Sequence, residues 1–113
     1  MIVAAVIVTY NPKLSDLVIL INNIIDSVEQ VVFIDNGSNN IAAIETFAVQ
    51  YSKIKLMQLG ENKGIGFAQN RGIEYALADK EITGIILFDH DSHPEPDMIS
   101  TLTNAYHNFE ADN

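Results

Sequence analysis

Two aspartates one residue apart, Asp89 and Asp91, close the apolar run 85–88. An apolar run cut off by turn formers reads as a strand buried on both faces. Open α/β sheets bind their ligands just past the carboxyl ends of such strands. Two hard oxygen donors placed there suit a Mg²⁺ or Mn²⁺ that also holds a phosphate. They equally suit a solvated strand end that caps the next turn. A third carboxylate, Asp35, ends the apolar run 31–34 and leads into Asn36-Gly37-Ser38-Asn39-Asn40. It reads either as a turn former or as an acceptor for a ribose hydroxyl or a base N–H. Thr9, Tyr10 and Asn11 follow the first apolar run. They either merely end a strand or line a cleft in which the Tyr10 ring stacks on a nucleobase.

Gly60, Gly64 and Gly66 precede a helical pattern without matching the dinucleotide or phosphate-loop motifs. A helix N-terminus nevertheless attracts phosphate, and Lys63 lies in that loop. The alternative is a solvated lysine. Gln69, Asn70 and Arg71 follow. Arg71, the only arginine, either pairs with a carboxylate or contacts base or phosphates. His90, His93 and His107 have no metal-ligand spacing. His107 reads as surface, and strand alternation turns His90 away from its flanking aspartates.

The elements that must position these groups alternate in period. Residues 2–8 form a β-branched first strand. Leu14, Leu17, Val18, Ile21, Ile25 and Val28 share a helical face, with Ser15 as N-cap. After strand 31–34, Asn39 or Asn40 caps a helix that turns Ile41, Ile44, Phe47, Ala48 and Tyr51 inward. Strand 54–59 alternates Ile54 and Leu56 with Lys55 and Gln58, the pattern of a sheet edge. The next helix carries Phe67, Ala68, Ile73, Ala76 and Leu77 inward. After strand 85–88, Pro94 and Pro96 open a last helix with a stripe of Met98, Ile99, Leu102, Ala105, Tyr106 and Phe109. The order βαβαβαβα predicts one α/β domain, a three-layer sandwich on a mainly parallel sheet. Right-handed crossovers favour strand order 3-2-1-4. Thr9-Tyr10-Asn11 then adjoins Asp89-His90-Asp91, with Asp35 one strand away.

Bulk properties narrow the partners. The 113 residues are 48% hydrophobic, which permits a packed core, and the net charge is −9. Six basic against fifteen acidic side chains provide no cationic field for nucleic acid or for an anionic membrane surface. A bound phosphate would arrive with its own cation. Without cysteine there is neither disulfide nor thiolate site, and a reducing cytoplasm is permitted. The apolar N-terminus has no basic leader and is too short to span a bilayer.

Four segments in order and register resemble one family. They are Thr9-Tyr10-Asn11-Pro12, Asp35-Asn36-Gly37-Ser38, Asn62-Lys63-Gly64 running on to Gln69-Asn70-Arg71-Gly72, and Asp89-His90-Asp91-Ser92. Together they look like the donor-binding half of inverting GT-A-fold glycosyltransferases, family 2 type, nearest the bacterial rhamnosyltransferases. The resemblance covers about residues 3–99. It implies a nucleotide-diphosphate-sugar site made of Thr9, Tyr10, Asn11, Asp35, Asn62, Lys63, Gly64, Asn70, Arg71 and Asp89. Thr9 and Tyr10 would line the base pocket, Asp35 would hold the base, and Arg71 would lie near it. Asp89 and Asp91 would take Mg²⁺ or Mn²⁺, which stabilises a departing nucleoside diphosphate. The implied reaction transfers a sugar, rhamnose from dTDP-rhamnose on the branch resemblance, to a glycan or lipid-linked saccharide in polysaccharide synthesis. The catalytic base and acceptor site are expected beyond residue 113, so residues 1–113 read as the donor half alone. The expected place is the cytoplasm, where such enzymes often work at the inner membrane face. The edge of strand 85–88 is expected to be open and to invite a homodimer.

Other classes fit less well. A receiver-like regulatory module needs an acidic pair after the first strand and a late lysine, but Thr9-Tyr10-Asn11 stands there and no lysine follows Lys80. A sugar nucleotidyltransferase would open with a basic Gly-rich loop after that strand. A non-catalytic nucleotide-binding module stays open.

Overall fold

The computed structural model describes the backbone of residues 1–112 and the side chains of residues 1–108. Four strands, β1 (Val3–Thr9), β2 (Gln30–Asp35), β3 (Ile54–Gln58) and β4 (Gly84–Asp89), form one sheet in the order β3-β2-β1-β4. Every pairing is parallel. The helices α1 (Leu14–Ile24), α2 (Ile41–Ala48), α3 (Ile65–Leu77) and α4 (Met98–Asp112) occupy the crossovers and the end. The expected three-layer α/β architecture and strand order are therefore the observed ones.

β1 is buried along its whole length because both faces are covered. Ala5 and Ile7 pack with Leu17, Leu20 and Ile24 of α1 and with Ile44 and Phe47 of α2. Ile99 of α4 joins this layer. Phe33 stacks on Phe47 at 6.4 Å between centroids. Ala4, Val6 and Val8 face the opposite way, against Ala68 and Ala76 of α3. Alternation along one strand thus feeds two apolar layers.

Several local expectations shift. The first helix ends at Ile24 and tightens into a 3₁₀ turn over Ile25–Ser27, so Val28 is buried from outside the helix. Val18 is exposed, and Leu20 and Ile24 take the inner face instead. Ser15 is not the N-cap. The N-cap lies two residues earlier, at Lys13, whose carbonyl accepts from the Asp16 and Leu17 amides. Asn40 does stand at the N-cap of α2, but its side-chain amide donates to the Pro12 carbonyl rather than capping.

α3 departs most. Phe67 and Leu77 are exposed, and the helix meets the sheet through Ala68, Gly72 and Ala76. A Cβ on Gly72 would lie 2.5 Å from Val6 Cγ1. The helix axis sits close because this row is small, and larger apolar residues are displaced to its flanks. β4 is not buried on both faces: Phe88 is buried, whereas Leu87 is 45% exposed. In α4, Ile99 is buried and Met98 half-buried, but Leu102, Ala105 and Tyr106 are exposed. The expected place of Phe109 in that stripe lies outside the described side chains.

Candidate functional site

The carboxyl ends of β1, β2 and β4 come together at one end of the sheet. Register pairs Thr9 with Asp35 and Val8 with Asp89. A cleft of about 370 Å³ opens there. Its floor includes Val8 and Phe88. On the β4 side stand Asp89, His90 and Asp91, and on the other Tyr10, Asn36 and Asn62, with Ile65 and Gln69 contributed by α3. A concavity of about 400 Å³ across α2 and β3 shares no residue with it, and its lining lacks any convergent carboxylate pair.

Asp89 is the last residue of β4. The chain then turns tightly, with the Ser92 amide donating to the Asp89 carbonyl at 3.0 Å. Strand alternation ends at this turn, so His90 shares the cleft wall with its neighbours instead of pointing away. Its Nδ1 is buried without a hydrogen-bond partner. The carboxylates of Asp89 and Asp91 are exposed and make neither hydrogen bond nor ion pair among the described residues. The following loop is fastened to α1: His93 Nε2 meets Asp16 Oδ1 at 3.0 Å, and Asn23 donates to the Pro94 carbonyl.

Asp35 is placed differently from the two aspartates after β4. It is 1% exposed and lies outside the cleft lining. Oδ1 accepts from the hydroxyls of Thr9 and Ser38, and Oδ2 from the amides of Gly37 and Ser38. These donors occupy both oxygens, leaving none aimed at a base. Thr9, fully buried, is likewise part of this internal network rather than a wall of the cleft.

Two loops are fastened around that network. The Asn11 amide donates to Ser38 Oγ, and Asn11 Oδ1 accepts from the Asn39 amide. Asn11 sits at φ +48°, a region Asn tolerates better than most side chains. Asn36 Nδ2 donates to Asn62 Oδ1, Asn36 Oδ1 accepts from the Lys63 amide, and Asn62 Oδ1 also accepts from the Gly64 amide. The Gly-rich loop is thereby held over the turn after β2. Gly37, at φ +89°, is where they touch: a Cβ there would lie 2.8 Å from Glu61 Cα.

Of the residues predicted for the site, Tyr10, Asn62, Asp89 and Asp91 meet in the cleft. Asn11 and Gly64 shape the loops around it. Lys63 is exposed, 3.9 Å from Glu61 and 5.4 Å from the Phe67 ring centroid. Asn70 and Arg71 are exposed on α3 outside the cleft lining. Arg71 pairs with no carboxylate among the described residues. One helical turn explains this: Ile65 and Gln69, four apart, face the cleft, and residue 71 points elsewhere. Gln69, Asn36 and His90 line the cleft as well, beyond the residues expected there. The four-residue spacing from Ile65 would have found Gln69; Asn36 was hidden within an Asn-Gly turn.

No group of three or more His, Asp and Glu side chains among the described residues could hold a metal alone. Asp89 and Asp91 do fit a divalent cation that brings further oxygen ligands with it, because both carboxylates are uncommitted. Mg²⁺ in particular is usually held by one or two carboxylates together with substrate phosphates and water.

A parallel sheet whose carboxyl ends open on a cleft with two uncommitted aspartates, amide side chains and a tyrosine is an open α/β domain with its cleft where such sheets bind ligands. Residues 4–113 match glycosyl transferase family 2, and the chain belongs to that family. It is 40% identical over 99 residues to dTDP-rhamnosyl transferase RfbF of Shigella flexneri, covering 88% of this chain and 32% of that protein. In fold it is similar to the crystal structure of S. aureus TarS 1–349, with a TM-score of 0.69 at 20% identity over 92% of this chain and 32% of that one. The GT-A fold expected from the sequence is thus the observed one. The chain spans about a third of the length of these relatives.

Proposed function

We propose that residues 1–113 are the donor-binding half of a glycosyltransferase, holding a nucleoside-diphosphate sugar with a divalent cation. The observation that carries this is the pair of uncommitted carboxylates, Asp89 and Asp91, facing Asn36, Asn62 and Tyr10 across one cleft. Family membership and the 40% identity to a dTDP-rhamnosyl transferase support dTDP-rhamnose as donor. The acceptor is a glycan or lipid-linked saccharide, and the catalytic base belongs to a part of the protein beyond residue 113. The partners of this reading also include a second copy of the chain at the β4 edge. No helix among the described residues is long and apolar enough to cross a membrane. The reading places the domain in the cytoplasm, at the membrane face where a lipid-linked acceptor would be presented.

In the bound state Asp89 and Asp91 would hold Mg²⁺ or Mn²⁺. That cation supplies Lewis-acid stabilisation of the diphosphate leaving group. The protein's own contribution is placement. Tyr10, exposed beside the cleft, offers a ring face to the base, and Asn62 on the same side and Gln69 of α3 offer amides. Thr9 and Asp35 act through the loops: they fix the turn after β2, which fixes Asn36 and so the Gly-rich loop. Such pre-set geometry removes ordering costs that would otherwise weaken donor binding.

Calorimetric titration tests this. dTDP is expected to bind in the presence of Mn²⁺, more tightly than UDP, and Asp91→Ala is expected to lose the metal-dependent part of the affinity. Metal-dependent binding unchanged by Asp91→Ala would overturn the assignment.

A further inference from the structure

The turn after β2 holds the only Asn-Gly step in the sequence, Asn36-Gly37. Asparagine is a thermally labile side chain. A following glycine shields it least, because without a Cβ the next backbone nitrogen is open to the side-chain carbon. This fold asks for both residues. A Cβ at position 37 would lie 2.8 Å from Glu61 Cα, and Gly37 stands at φ +89°, so glycine alone fits. At position 36 the facing loop needs a donor and an acceptor on one short side chain. Asn36 Nδ2 donates to Asn62 Oδ1 at 3.1 Å, and Asn36 Oδ1 accepts from the Lys63 amide at 2.9 Å. An ionised aspartate would keep the acceptor and lose the donor.

The same contacts hold the reaction off. Deamidation begins when the Gly37 nitrogen, its proton lost to water, bonds to Asn36 Cγ. That carbon becomes tetrahedral, which bends Oδ1 and Nδ2 out of their common plane. The bonds to Asn62 and Lys63 cannot both survive the change. Nor can the bond from the Gly37 amide to Asp35 Oδ2, at 3.2 Å, since its proton has gone. Asn36 is also buried, with its own amide donating to the Thr9 carbonyl at 2.9 Å. The reaction therefore requires the Gly-rich loop to lift off first.

We propose that Asn36 is a site of spontaneous deamidation gated by opening of the Gly-rich loop. As the Gly37 nitrogen bonds to Cγ, the Cγ–Nδ2 bond breaks and the side-chain nitrogen leaves as ammonia, protonated by water. The succinimide ring so formed is opened by water at either carbonyl. One product is aspartate at position 36. The other is an isoaspartyl link, which carries the main chain through the side-chain carbon. Both products undo the loop. A carboxylate has no proton for Asn62 Oδ1. Asn62 can turn its amide round to donate, but the Gly64 amide, held by Asn62 Oδ1 at 2.9 Å, then loses its acceptor. The isoaspartyl link adds a methylene to the main chain beside the tight approach of Gly37 to Glu61. Either product also puts a further carboxylate beside the cleft that Asn36 lines with Asp89 and Asp91. This inference holds whatever the cleft binds.

Proteolysis and mass spectrometry follow the reaction in mildly alkaline buffer, on the folded chain, on Asn62→Ala and on a synthetic peptide of residues 30–41. The peptide is expected to react at Asn36 ahead of Asn39 and Asn40. The folded chain is expected to react at the same residue at least about tenfold more slowly, because opening breaks two hydrogen bonds. Asn62→Ala lacks one of them and is expected to react about fivefold faster than the unmodified fold. Circular dichroism checks that the variant folds. Should it fail to, the unmodified chain in urea below its unfolding transition gives the same reading: deamidation should rise in step with exchange of the Lys63 amide. A peptide stable at Asn36, a folded chain that keeps pace with the peptide, a folded Asn62→Ala no faster than the unmodified chain, or deamidation that follows global unfolding rather than Lys63 exchange would each overturn the proposal.

Discussion

Asp35 gives the sharpest test of how the site is held together. Its carboxylate accepts from the hydroxyls of Thr9 and Ser38 and from the amides of Gly37 and Ser38, all at 3.2 Å or less. Asp35→Ala removes every one of these acceptors from a position 1% exposed. The two hydroxyls can rotate toward other partners, but the two backbone amides cannot. Leaving a buried donor unmet costs about 1–3 kcal/mol, so two amides plus partial loss at the hydroxyls come to about 3–5 kcal/mol. That is a large part of the ordinary stability of a domain, about 5–15 kcal/mol. Asp35→Asn should cost less, about 1–2 kcal/mol. Its oxygen can stay on the amides of Gly37 and Ser38, while its NH₂ donates to the hydroxyls, which are able to accept. Urea unfolding followed by circular dichroism measures both, the midpoint falling in that order at constant slope. Nucleotide titration on Asp35→Asn should show affinity retained. An Asp35→Ala cost below about 1 kcal/mol would refute the structural role, since even one orphaned amide exceeds it. So would an Asn variant as unstable as the Ala variant. Full stability in Asp35→Asn with nucleotide binding lost would return Asp35 to direct base contact.

Two further variants probe the packing beneath the cleft. Gly72→Ala places a methyl 2.5 Å from Val6 Cγ1 and 3.0 Å from Ile34 Cγ1. Overpacking of about 1–3 kcal/mol should outweigh the roughly 1 kcal/mol that alanine gains in helix propensity. Thermal melting should therefore fall by several degrees, and an unchanged or raised midpoint would contradict the close approach of α3. Asn36→Ala removes the acceptor of the Lys63 amide and the donor to Asn62. It should cost about 1–2 kcal/mol and speed exchange of the Lys63 amide, whereas unaltered exchange would show that the Gly-rich loop is held by other means.

The architecture is legible along the chain. Period-2 and period-3.6 segments alternate cleanly, turn residues stand between them, and parallel connection rules leave few strand orders. Lys55 and Gln58 also mark β3 as an edge, which is where it lies. The place of Asp89 and Asp91 at the cleft was legible because an apolar run ends on them, and a strand end is where a sheet leaves room for a ligand. Which polar groups face the cleft depends on how the elements pack. Asp35 and Asp89 look alike in sequence, each closing an apolar run. Asp35 is buried because the next strand, the Gly-rich loop and the Ser38 turn close over it, whereas Asp89 ends the outer strand of the sheet that the described residues form and is exposed. Arg71 and Gln69 differ by two positions on one helix, and the rotation of α3 separates them. That rotation follows from the Ala68-Gly72-Ala76 row, whose small size sets how the helix meets Val6 and Ile34. Hydrophobicity along the chain carries no such signal: Phe67 and Leu77 are the more apolar residues, yet they are left outside. Period fixes which element forms, and the volume available between elements fixes which of its faces is buried.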